Sequence, residues 1–69
     1  MQANGSVTAH KRDAEHHLKR AEECLSQGYT DLATFSLGKA WGNLEWVKLQ
    51  KTDPLQARLD NLFVKLGLR

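Results

Sequence analysis

The chain has 69 residues, a formal charge of +2 from ten Lys and Arg against eight Asp and Glu, and one cysteine, Cys24. At that length it can build one domain, and a core of this size leaves only a few kcal/mol of net stability, for which self-association is a common remedy. The composition excludes an internal disulfide and a multi-cysteine zinc site, is too balanced to advertise a polyanion, and holds no run near the ~20 apolar residues that cross a bilayer. A reducing, cytoplasmic setting is the expected one, with no membrane contact.

Taken in order, Met1 to Gly5 has no apolar signal core and is predicted to be a frayed tail. Ser6 or Thr8 can cap a first helix over about residues 7–27. Val7, Ala14, Leu18, Ala21 and Leu25 give that helix one apolar stripe, and Gly28 supplies a left-handed stop. Outside the stripe lie Lys11, Arg12, Glu15, Lys19, Arg20, Glu22 and Glu23, with Glu15 and Lys19 placed to pair. Gly28 to Asp31 is a short polar connection of the kind that joins antiparallel neighbours, and Thr30 or Asp31 can cap a second helix over about residues 31–51. Thr52-Asp53-Pro54 marks the next boundary, Asp53 capping, Pro54 in the first helical position and Gln56 completing a capping box. Leu55, Leu59, Leu62, Phe63 and Leu66 stripe a third helix over about residues 54–66, and Gly67 ends it. No stretch alternates with period two, so the fold predicted is all-α, an antiparallel hairpin of two long helices with a shorter third.

The second helix is unusual. At ~100° per residue, Ala33, Leu37, Ala40, Leu44 and Val47 line one side and Phe35, Gly38, Gly42, Trp46 and Leu49 roughly the opposite side. A helix with two apolar faces needs two neighbours, and a third helix of ~20 Å cannot span one of ~30 Å. Either the third helix covers the second face in an ordinary three-helix monomer, or, as expected here, a homodimer through helix two or helix three or another protein covers it, with Phe35, Trp46, Trp41 and Tyr29 as aromatic contacts and Gly38 and Gly42 allowing close approach.

Ala21, Gly28, Ala33 and Ala40, with Lys39 before Ala40, stand where a tetratricopeptide unit keeps small residues, so the stretch from about Ala14 to Val47 resembles one such helical hairpin. The resemblance implies close helix packing and a protein-binding role. His17, Cys24 and Glu45 depart from that pattern, and there is no second copy of it. In shortness, helicity and excess apolar surface the chain is similar in kind to the small phage-encoded proteins that bind and inhibit host regulators. The arrangement RDAEHH, with Arg12 and His17, resembles the Arg-x4-His motif of HEPN ribonucleases, which implies a pair acting on a scissile phosphate.

Lys11, Arg12, Lys19 and Arg20 make a basic strip that nucleic acid could use, although Asp13, Glu15, Glu22 and Glu23 interleave with it and weaken its field. His10, His17 and Cys24 recur every seven residues, ~10.5 Å apart along a helix and too far for one ion to bridge neighbours, so no metal and no cofactor are expected. The reading that follows is a non-catalytic interaction protein, a homodimer that also binds an unidentified larger protein. Nucleic-acid binding through the first helix is the rival, and a ribonuclease the remote one.

Overall fold

The computed structural model describes residues 3–69, with side-chain burial from residue 7 onward. It contains α1 (Ala3–Ser26), α2 (Thr30–Val47) and α3 (Pro54–Lys65), and no strand among the described residues. The fold is all-α: α1 and α2 form a closely packed antiparallel hairpin, and α3 lies against one side of it.

The hairpin closes through small residues. Ala14, Leu18 and Ala21 of α1 meet Leu37, Ala40 and Leu44 of α2 in one buried cluster, completed by Leu59 and Leu62 of α3. Ala33 is fully buried as well. Alanines at the seam let the two backbones approach. Gly28 stops α1 as expected: at φ +86° its N–H donates to the Leu25 carbonyl (3.0 Å) while Tyr29 N–H reaches the Cys24 carbonyl (2.8 Å). This pair of hydrogen bonds back onto the last turn is a Schellman closure, and Gly67 and Leu68 repeat it at the end of α3.

Three boundaries differ from expectation, and one capping detail with them. α1 begins at Ala3, so residues 3–5 are helical and Ser6 and Thr8 lie inside the helix, while Met1 and Gln2 fall outside the described residues. Neither hydroxyl has the acid or amide three residues on that would complete a capping box, and one interior glycine weakens a helix by only about 1 kcal/mol. At the start of α2 the N-cap is Tyr29, without a side-chain bond; Thr30 is already helical and Thr34 Oγ1 donates back to its carbonyl (2.9 Å). α2 ends at Val47, about a turn early, because Lys48 adopts a left-handed conformation at φ 57°, its N–H still bonded to the Leu44 carbonyl. That reversal turns Leu49 inward against the core. Asp53 caps α3 as expected, its Oδ1 accepting from Leu55 N–H (2.9 Å) with Pro54 behind it, but the capping box stays open because Gln56 Nε2 donates to Asp60 instead (3.2 Å).

Polar contacts choose the side on which α3 docks. Arg58 places a fork on Glu22 (Nη2 to Oε1 2.9 Å, Nε to Oε2 3.2 Å) and faces Glu15 at 3.8 Å, so Glu15 looks across to α3 and not along α1 to Lys19. Lys11 meets Asp53 at 2.9 Å. Phe63 stands edge-on to Trp41 with 6.4 Å between ring centroids. Acids and a lysine on one edge of α1 thus pair with α3 on the Trp41 side, and among the described residues no third layer lies on the opposite side of the hairpin.

Candidate interaction surface

The uncovered side joins one edge of α1 to the outer face of α2. From α2 come Leu32, Phe35, Lys39, Asn43 and Trp46, a set that recurs at steps of three and four and so shares one flank of the helix. From α1 come His10, His17 and Cys24, whose seven-residue spacing marks the edge of the seam. Phe35 is 62% exposed and Trp46 78% exposed. Gly38 and Gly42 lie beside them on the outermost pole of α2, also exposed, and a Cβ built on either would meet nothing within 4 Å.

Several contacts order this side without covering it. His10 Nδ1 lies 2.9 Å from Asn43 Oδ1, and Asn43 Nδ2 donates to the Lys39 carbonyl at 3.2 Å. The amide oxygen can only accept, so the His10 proton sits on Nδ1. The same imidazole lies nearly parallel to the Trp46 indole, with 6.5 Å between centroids. Lys39 Nζ stands 4.6 Å above the centroid of the Phe35 ring, a cation–π contact. Next to it a shallow groove between the helices is lined by His16, His17, Arg20, Cys24, Leu32, Phe35, Ser36 and Lys39. Burial holds the His17 pKa below its ordinary value, helped by the positive charge of His16, Lys39 and Arg20 and opposed by Asp13.

The structure gathers some of the residues singled out in the sequence and separates others. Phe35, Gly38, Gly42 and Trp46 do share an uncovered face. Leu49 does not belong to it, since it lies past the end of α2 and packs on the core. Trp41 is 48% exposed but faces α3. Tyr29 is at the hairpin turn, exposed beside Leu32 and Cys24 and away from Trp46. The basic strip is split: Lys11 is tied to Asp53, Arg12 lines a groove with Pro54 and Arg58, Lys19 is exposed, and Arg20 belongs to the opposite groove. Arg12 and His17 line different grooves and converge on no common site. Among the described residues no group of three His, Cys, Asp or Glu could hold a metal ion, and no helix is long and apolar enough to cross a membrane.

Two features escaped the sequence reading. The Arg58–Glu22–Glu15 cluster joins residues 36 and more apart in the chain, which no local pattern reveals. The flank of Lys39 and Asn43 is polar, so an apolar periodicity passes over it. The geometry defines a three-helix fold whose hairpin has an aromatic, glycine-containing face that no other described helix covers. Comparison of the chain with protein-family models, with curated proteins and with solved structures finds no match.

Proposed function

We propose that this protein is a non-catalytic interaction module that pairs with a second copy of itself across the outer pole of α2 and binds, and so inhibits or adapts, a larger regulatory protein or enzyme. The observation that carries the reading is the exposure of Phe35 and Trp46, 62% and 78%, beside two glycines with open space above them. Large aromatic rings are the usual anchors of protein interfaces, where each fills a pocket of the partner. Each glycine weakens α2 by about 1 kcal/mol relative to alanine, a loss that close approach of a second helix would offset.

Sedimentation equilibrium at micromolar concentration tests the pairing. A dimer is expected for the native chain, and Gly42→Leu should separate the subunits because a leucine holds the two helices apart. A monomer of 7.8 kDa at every concentration overturns it.

A further inference from the structure

Charge on the two sides of the hairpin is arranged differently. On the α3 side three cations are answered, Lys11 by Asp53, Arg58 by Glu22 and Glu15, and Arg69 by Asp60, while Arg12 and Lys48 there form no ion pair among the described residues. On the uncovered side Arg20 of α1 and Lys39 of α2 border one groove and, among the described residues, neither forms an ion pair. His16 and His17 stand with them. Apolar anchors frame this positive patch, Leu32 and Phe35 toward one end and Trp46 toward the other, and Lys39 extends over the Phe35 ring so that cation and aromatic face are presented side by side.

We propose that this groove receives an acidic amphipathic segment of a partner protein, its carboxylates against Arg20 and Lys39 and its apolar side chains against Leu32, Phe35 and Trp46. The inference rests on the protein-binding reading above, gives the partner its chemistry, and makes the partner segment and a second copy competing occupants of Phe35 and Trp46. Carboxylates suit the site because a guanidinium offers them a planar pair of donors, and a pair that is partly desolvated against Phe35 gains strength. A nucleic-acid backbone suits it less, since tight binding there commonly engages ~6–10 phosphates and the groove holds two permanent cations. Leu32 to Trp46 spans about 14 residues, ~21 Å along α2, the length of a four-turn helix laid in the groove.

The test uses the full chain and defined probes: two fluorescein-labelled helical peptides of about 14 residues, ~21 Å when helical, sharing one leucine stripe and flanked by glutamates in one and lysines in the other. An oligo(dT) strand is the third probe, and binding is followed by anisotropy. The glutamate peptide should bind roughly tenfold more tightly than the lysine peptide. The double variant Arg20→Glu with Lys39→Glu should reverse that preference while circular dichroism stays helical. If the double variant loses helicity, Lys39→Gln replaces it, a reduced preference being expected and an unchanged one overturning the proposal. Equal affinities, a preference that survives charge reversal, binding of neither peptide, or tighter binding of the oligonucleotide each overturn it. Trp46→Ala separates the two levels of argument: if it weakens both peptides and they bind equally, the acidic partner is wrong and protein binding stands. If neither peptide binds and the chain is monomeric, both are wrong.

Discussion

Trp41 and Trp46 leave the same helix five residues apart and meet opposite fates. Trp41 is half covered, edge-on to Phe63, on a side sealed by leucines and ion pairs. Trp46 has one imidazole for company and is mostly in solvent. Both sides of α2 carry apolar residues, so hydrophobicity alone does not decide which one α3 covers. The edges of α1 decide it: Lys11, Glu15 and Glu22 complement Asp53 and Arg58 on one side, whereas the other presents imidazoles and a thiol. An apolar face needs a matching polar rim before a neighbour settles on it.

The sharpest way to break this contrast is to truncate one residue on each side. Leu44→Ala should lose ~2–5 kcal/mol of stability by opening a cavity among buried neighbours. Trp46→Ala should lose well under half of that in thermal or urea melting of the monomer and should instead weaken self-association and peptide binding. Equal destabilisation by the two would make the outer face ordinary core.

Next in size is an effect of opposite sign. Gly38→Ala and Gly42→Ala meet no atom within 4 Å of the new Cβ, and each removes a helix-weakening glycine, so each should raise monomer stability by about 1 kcal/mol. The same substitutions should weaken the dimer if two copies pack at these positions. Stability from melts at low concentration, set beside the dimer constant from sedimentation, separates the two effects, and a more stable dimer would remove the glycines from the interface.

The smallest effects are in pH. Asp53 has its carboxyl held below the usual value by the Leu55 N–H and then by Lys11. Its contribution is complete above the unfolded value of 3.8 and is lost as pH falls through the folded one, so Asp53→Ala should cost about 1 kcal/mol at neutral pH and much less near pH 2. His17 works in a higher window. Its imidazole binds a proton less readily when folded, so stability is complete above 6.5 and declines below it as the unfolded chain takes up the proton first. His17→Gln should flatten that decline in urea melts between neutral and mildly acidic pH, and an unaltered slope would refute the assignment.

Much of the fold was legible because it is written in local patterns. The alanine and leucine stripes marked the seam, Gly28 and Gly67 marked helix ends that require positive φ, and Asp53-Pro54 marked a start. The aromatic and glycine face of α2 was equally legible, since periodicity alone places Phe35 opposite Leu37. What stayed hidden depends on distance in the chain or on a backbone choice that side-chain type does not announce. The Arg58 fork needs α3 already docked on α1. The split of the basic strip follows from that docking, because Lys11 is drawn to Asp53 only once α3 is in place. Periodicity places Leu49 on the outer face only if the helix runs through Lys48, and it does not.

That lysine acts as a selector for the path of the chain. An L-residue in the left-handed region is ~1–2 kcal/mol above its right-handed form, and Lys48 holds it at φ 57° and ψ 66°. Were it right-handed, α2 would run on toward Lys51 and the tether to α3 would depart about one turn, ~5.4 Å, further along the axis. Leu49 would then ride on the outer face with Phe35 and Trp46, and Asp53 would begin its helix beyond the reach of Lys11. One backbone torsion, at a position where neither glycine nor asparagine stands to advertise it, thus sets the length of α2 and the point from which the tether leaves for α3, and so brings Asp53 to where Lys11 can meet it.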